Sequence, residues 1–486
     1  MKKNRFFGVL AVAAVLFSSI ACEKEPQKEP DKEPEQEQPV EKSSEAKLTA
    51  FTLTAGDATL EGFVYETDKV VEITYLAEQL EALKTATAEV VISDKATVSP
   101  DPAVARDYTV EGGVVYTVTA EDGETKAEYT VELVEAVVQV KATEVWKKTI
   151  AALEFPGHLQ SDCGVAFCGE GLFALSNGAV YDLEGAKVGT LNLEGVVNGD
   201  QEGFEFVCMA NDDKGRLVAS VGYNAAGGCP VPGPGDDQIA TSKTYAWVDG
   251  YDKAPICIQN QTGGNNARYI SVAGDIKDGP YIFIARSGSH PSTINFHHWA
   301  GSAGMTAGEG GPGGSAWSWF AVNLNGQDGC WGTQVSPASA DATPTYFIWD
   351  SETPNSGSSI YSRVGATGED KALSGTIADD EILDAEYAGD NGKQFGNYSI
   401  GHVRGFMYDG KAYVAASTSG WSQNYLTIVD ASGEEYLLRT QAFDAGGDGA
   451  FPCSAYWYDA TTDEGYVVFL KQNDVVALYK IAKEIV

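Results

Sequence analysis

The sequence predicts an all-β protein in which a small β-sandwich precedes a β-propeller, and three observations carry that prediction. Glycine is abundant (54 residues) and aromatic residues reach 10%, while long runs of helix-forming residues are almost missing; this is the composition of many short strands joined by turns. Short segments with period-two alternation recur between turn residues, and beyond residue 143 they group in fours. The last of these groups lacks one strand, and a spare strand stands at the start of the same region.

The chain opens with Lys2, Lys3 and Arg5, continues through an apolar run from Phe6 to Ile20, and reaches Cys22 by way of Ser19-Ile20-Ala21. A basic start, an apolar core too short to span a bilayer and small residues before a cleavage point define a secretory signal over residues 1–21. The stretch resembles the lipobox of bacterial lipoproteins, with Ser19 where leucine is usual. That resemblance implies cleavage before Cys22, a lipid on its new N-terminus and attachment to the outer membrane. Residues 22–45 form a linker whose first part repeats Lys, Glu and Pro without an apolar residue, as in Glu23-Lys24-Glu25-Pro26. Such a segment buries nothing and stays extended and solvated. Acidic residues directly after the cysteine are similar to the export signal of surface lipoproteins in gut Bacteroidota, which implies that the protein faces the cell exterior.

The balance of 33 basic against 69 acidic residues gives a formal charge of −36. A phosphate backbone or an anionic lipid surface needs a basic footprint, so nucleic acid is excluded as a partner. Of 8 cysteines, Cys22 is assigned to the lipid; Cys163, Cys168, Cys208, Cys229, Cys257, Cys330 and Cys453 are an odd number, so one at least stays outside any intrachain disulfide. The disulfide pattern is open, and no CxxC spacing points to zinc.

Residues 46–137 read as the sandwich. Lys47–Leu53 and Ala88–Ile92 alternate with period two, and Val114–Ala120 and Glu128–Val134 flank an Asp122-Gly123 turn, whose residues tolerate the positive φ a tight hairpin requires. The Tyr116-Thr117-Val118-Thr119-Ala120-Glu121-Asp122-Gly123 stretch resembles bacterial Ig-like modules. That resemblance implies an Ig-like β-sandwich that spaces or presents another domain.

Residues 143–486 read as the propeller. The groups span 164–190, 204–258, 269–322, 332–363, 402–439 and 455–479, the second of them beginning with Phe204–Val207. Strand 144–151 supplies what the last group lacks, because propellers close by pairing strands from the two ends and so leave no open edge. Six blades result, with seven the alternative count. A string of sandwiches would need a linker that the region does not contain.

Function on such a scaffold sits on long loops at one face. Three stand out: 222–242, the glycine-rich 301–316, and 369–397. The second could close over a ligand or hang loose. Beside the loops lie His297-His298-Trp299, Trp317-Ser318-Trp319, Trp331 and Trp421, whereas Trp247, Trp349 and Trp457 fall inside strands and read as packing between blades. Tryptophans near loop ends suit stacking against sugar rings, so Trp299, Trp317 and Trp421 are the candidate ligand contacts. His402 and Arg404 share one face of an inner strand and would suit an anionic sugar or a lyase-like site. His297 and His298 are adjacent and point to opposite faces, which argues against a shared metal. The acidic turns 211–215 and 444–449 could take calcium, although neither completes an EF-hand loop and a plain turn explains both. No Gly-x-Ser-x-Gly or HExxH pattern occurs, so no catalytic residue is assigned.

Taken whole, the chain resembles surface lipoproteins of gut Bacteroidota in which an Ig-like module lifts a ligand-binding domain off the membrane. The resemblance implies a monomeric, surface-displayed binding protein with polysaccharide as the favoured ligand. A propeller-fold polysaccharide lyase or glycoside hydrolase, and a protein-binding adhesion module, are the alternatives.

Overall fold

A computed structural model describes residues 41–153, 163–223, 241–262, 269–286, 293–323, 333–351, 358–373, 400–419, 423–440, 443–444, 452–471 and 474–485. Cys22, Trp331 and Trp421 lie outside them, as does most of loops 222–242 and 369–397. The chain divides into two compact units between Ala136 and Val137. No helix among the described residues is long and apolar enough to cross a membrane.

The first unit contains β1 (Leu48–Ala55), β2 (Ala58–Tyr65), β3 (Val70–Tyr75), β4 (Thr87–Ile92), β5 (Thr97–Ser99), β6 (Val114–Thr119) and β7 (Lys126–Glu135). The alternation does its work: Leu48, Phe51, Leu53, Val71, Ile73, Tyr116, Val118, Tyr129 and Val131 form one buried core. The Asp-Gly hairpin is present, with Thr119 paired to Lys126 and Gly123 at φ 76°. Asp122 Oδ1 accepts the backbone N–H groups of Glu124 and Thr125 and fixes the turn. The two-sheet arrangement expected from the strand pattern is not what forms. All seven strands lie on one hydrogen-bonded path, β4-β1-β2-β3-β7-β6-β5, because β3 and β7 pair in parallel and join what would be separate sheets. The path curls until its ends approach: Ala88 of β4 donates to the carbonyl of Pro102, just beyond β5, and Ala86 bridges Arg106. A nearly closed sheet with a single interior replaces the sandwich.

The second unit opens with β8 (Val138–Thr149) and then builds four-stranded sheets. Blade I holds β9 (Val165–Gly169), β10 (Leu172–Leu175), β11 (Ala179–Asp182) and β12 (Lys187–Thr190). Blade II holds β13 (Cys208–Asn211), β14 (Leu217–Tyr223), β15 (Thr241–Ala246) and β16 (Ile256–Thr262). Blade III holds β17 (Ile270–Gly274), β18 (Tyr281–Arg286), β19 (Thr293–Gly301) and β20 (Ala316–Asn323). Blade IV holds β21 (Gln334–Pro337), β22 (Thr345–Ser351), β23 (Ser358–Val364) and β24 (Lys371–Ala372). Blade V holds β25 (Ile400–Tyr408), β26 (Lys411–Ser419), β27 (Gln423–Asp430) and β28 (Tyr436–Arg439), with β29 (Phe443–Asp444) also on β27. Blade VI holds β30 (Pro452–Asp459), β31 (Glu464–Lys471) and β32 (Val475–Ile485), and β8 is its outermost strand.

The first strands of the blades, β9, β13, β17, β21, β25 and β30, neighbour one another in a closed ring of six around an axis. Apolar side chains fill the gaps between blades. Trp247 belongs to the layer between blades I and II and Trp349 to that between IV and V, while Trp457 packs on Phe167 where VI meets I. Phe204–Val207, read as the first strand of blade II, lies ahead of that ladder. Phe204 and Phe206 are buried against each other and Trp247, but the ladder itself starts at Cys208.

Candidate functional site

The outer hairpin of blade III brings the aromatic residues together. In its register His297 faces Trp319 and Trp299 faces Trp317, so the four rings share one side of the sheet. Trp317 and Trp319 remain 52% and 50% exposed. Their centroids are 5.0 Å apart with planes inclined by 67°, and the His297 ring stands edge-on to Trp319 at 4.8 Å. Burial depresses the His297 pKa below its ordinary value, so the ring is neutral at physiological pH. His298 points to the opposite side, where its ring nitrogens meet the hydroxyls of Ser318 (3.1 Å) and Tyr346 (2.9 Å).

Trp299, one of the expected ligand contacts, is only 4% exposed. It stacks on Phe283 at 5.2 Å and lies beneath the glycine-rich loop. A Cβ at position 311 would come within 2.1 Å of the Trp299 Nε1 atom, so glycine there permits the loop to close down. The loop is held just before this contact: Asn260 of blade II donates to the Glu309 carbonyl (2.7 Å) and Met305 donates to that of Ile276 (2.7 Å). It closes over a side chain of its own chain and leaves the Trp317–Trp319 pair as the open surface.

His402 and Arg404 do share a face of β25, but they are buried, 5% and 3% exposed. Arg404 reaches across the axis and His402 to the next blade. Arg404 Nη1 donates to the Val272 carbonyl of blade III (2.6 Å), and Nη2 stands 3.7 Å from Asp213 Oδ1 of blade II. His402 Nδ1 accepts the Ser454 N–H of blade VI at 3.3 Å. As placed, these residues tie blades together and present no surface to a ligand. Arg404 Nε and Nη2 have no hydrogen-bond acceptor among the described residues.

A cavity of ≈ 430 Å³ opens where the first hairpin turns of blades II, V and VI converge, with Asp213, Tyr408, Asp409, Tyr456 and Asp463 in its wall. Asp409 and Asp463 share Lys483, at 2.7 and 3.2 Å. The sequence reading missed this cavity, although its signal was present: each contributing turn directly follows the first strand of a blade and so lies at one end of the axis. Burial pushes the Asp213 carboxyl up to about 6, with the Arg404 guanidinium opposing. A folded-state pKa above the ordinary carboxylate value gives stability that is complete below about pH 4 and is lost as pH rises to about 6. Asp213→Asn should therefore flatten the decline in melting temperature across that window. The effect will be small because 38% of the Asp213 side chain stays exposed; an unchanged pH profile would show that the carboxyl titrates normally.

The acidic turn 211–215 is an ordinary turn in structure. Asp212 Oδ1 accepts the N–H groups of Lys214 and Arg216, and Oδ2 accepts that of Ile276. Among the described residues no three His, Cys, Asp or Glu side chains are placed to hold a metal ion.

Residues 48–133 match the family model described as SGBP, N-terminal. No curated protein matches the chain. Among solved structures, a DUF4623 family protein from Bacteroides eggerthii is similar at 12% identity over 90% of this chain and 98% of that one, with a TM-score of 0.46. The NanB sialidase from Streptococcus pneumoniae aligns at 10% identity over 91% of this chain and 70% of that one (TM-score 0.28). The WD40 domain of SCAP from fission yeast aligns at 12% identity over 68% of each chain (TM-score 0.28). The six-bladed propeller itself rests on the strand pairing described above.

Proposed function

We propose that the protein is a lipid-anchored binding protein displayed on the cell surface, and that it holds polysaccharide against Trp317, Trp319 and His297. The observation that carries this reading is the pair of half-exposed indoles on the outermost strand of blade III. Large aromatic faces left in water are unusual unless something covers them. The C–H faces of sugar rings fit such planes, and the neutral His297 beside them can bond a hydroxyl. Planes inclined at 67° cannot both lie flat under a straight ribbon of sugars, so the geometry favours a glycan that turns between successive residues. The match of residues 48–133 to the SGBP N-terminal model, whose family members are surface glycan-binding proteins, supports both the ligand class and the location. Cys22 is the lipid attachment site in this reading, and residues 22–45 are the tether.

The test is migration of the protein, produced without residues 1–22, through gels that contain single polysaccharides, coiled α-glucans and ribbon-like β-glucans among them. Retardation by one glycan whose chain length is unchanged afterwards supports the binder. Shortening of the glycan would make the protein an enzyme. No retardation in any gel would remove the glycan reading and turn attention to a protein partner for the same indoles.

A further inference from the structure

Three cysteines far apart in sequence meet at the propeller axis. Cys163 lies just ahead of β9, Cys208 begins β13 and Cys453 is in β30, so blades I, II and VI each bring one sulfur to the end of the axis where the inner strands start. All three are fully enclosed, with exposures of 1%, 0% and 0%. Cys163 is the centre of the group. Its backbone forms a parallel bridge with Cys208, its thiol donates to the Val165 carbonyl (3.6 Å), and the thiols of Cys208 and Cys453 are its nearest titratable neighbours. The Gly164 N–H points at Cys453 Sγ from 3.3 Å, and His402 completes the cluster from blade V. Bridged strands stand about 4.8 Å apart, within the range of roughly 4.4–6.8 Å that a disulfide spans between Cα atoms. Nothing in the cluster serves the proposed glycan surface, and no metal geometry accounts for it.

We propose that this cluster is a redox-active dithiol site in which Cys163 forms an inter-blade disulfide with one of its two thiol neighbours. The oxidant is a small disulfide or a dithiol–disulfide carrier protein, met while the ring is assembling and the thiols are still accessible. The Cys163 thiolate attacks one sulfur of that disulfide, forming a mixed disulfide and releasing one thiolate. Cys453 or Cys208, having lost its proton, then attacks the Cys163 sulfur and displaces the second thiolate. Two protein thiols are oxidised by two electrons, and one external disulfide is reduced to two thiols. The local electrostatics suit Cys163 to the first step. Burial works to raise its pKa, yet hydrogen bonds from Cys208 and Cys453 and the nearby His402 imidazole carry it well below the ordinary thiol value. Cys453 moves the other way, pushed up by burial and by its bond to Cys163. The bond would staple blade I to VI or to II at the axis, where their inner strands meet.

The test is to refold the purified full-length chain in mixtures of reduced and oxidised glutathione, block remaining thiols under denaturing conditions, and map disulfide-linked peptides by mass spectrometry. The expected result is a linked peptide joining Cys163 to Cys453 or to Cys208, lighter by two hydrogens than its separate parts and cleaved by dithiothreitol. The oxidised protein should melt several degrees above the reduced one, and Cys163→Ala should erase that difference while retaining the circular dichroism of the wild type. If Cys163 is found joined to neither neighbour in every mixture, the site is a packed cluster of small apolar side chains and the proposal fails. Because the measurement uses no glycan, it stands or falls independently of the surface proposed for blade III.

Discussion

Alanine at both Trp317 and Trp319 is expected to abolish retention by the polysaccharide, weakening affinity by roughly a thousandfold. Aromatic residues that anchor an interface typically contribute about 2 kcal/mol or more each when truncated. Two such losses come to about 4 kcal/mol, and each 1.4 kcal/mol is tenfold in affinity. The rings are 5.0 Å apart and share whatever covers them, so the single variants will not add simply, and each should fall between wild type and the double variant. Stability should change little, because both indoles are half in water on an outermost strand. Trp299→Ala is the informative contrast. That ring is stacked on Phe283 and covered at Gly311, so its removal should cost about 3–5 kcal/mol of stability and reduce binding only as far as the fold is lost. Isothermal titration with the glycan found in the gel screen, beside thermal melts, separates the two effects. A double variant that binds as tightly as wild type would eliminate this surface.

Much of the fold was legible because its signals are local. The Asp122-Gly123 turn with flanking alternation became the hairpin of β6 and β7, and the spare strand expected at 144–151 overlaps β8, which pairs with β32 as far as Thr149. What failed depends on pairing at a distance. The parallel contact of β3 with β7 links residues about 60 apart and turns the expected sandwich into one curled sheet; no periodicity within either strand distinguishes those outcomes. Phe204–Val207 shows the other limit. An extended connection that buries two phenylalanines alternates just as a strand does, and only the ladder at Cys208 tells them apart.

The site divides in the same way. The Trp317-Ser318-Trp319 spacing puts both indoles on one face of any strand, and that could be read directly. The burial of Trp299 could not, since it depends on a glycine a dozen residues away coming down upon the ring. For His402 and Arg404 the shared face was legible, whereas their burial comes from Val272, Asp213 and Ser454, which belong to blades III, II and VI. The three axial cysteines, whose pairing the sequence leaves open, become a cluster only when each is placed at the start of its blade.

The largest structural effect should come from removing β8. A chain beginning at Val137 retains β8 whole and is expected to unfold in one cooperative transition; a chain beginning at Ala151 is expected to show none. β8 pairs with β32 from Val138 opposite Ile485 to Thr149 opposite Val475. Its eleven aligned pairs, at roughly 0.2–1 kcal/mol each, are of the same order as the net stability of a typical domain, about 5–15 kcal/mol. The Trp146 indole also donates to the Leu183 carbonyl at 2.6 Å, a bond from blade VI to blade I that is lost with β8. Without β8 the ring keeps all of its inner strands but exposes the polar edge of β32 and unlatches the seam, so the ends of the propeller are free to part and to pair with other chains. Circular dichroism melts of the two truncations make the comparison, and light scattering will show the shorter one aggregating. A synthetic peptide of residues 137–150 should partly restore the transition, since it can add to the open edge as an extended strand. If the shorter chain melts like the longer one, closure of the ring does not depend on this strand and the inner strands alone must hold it.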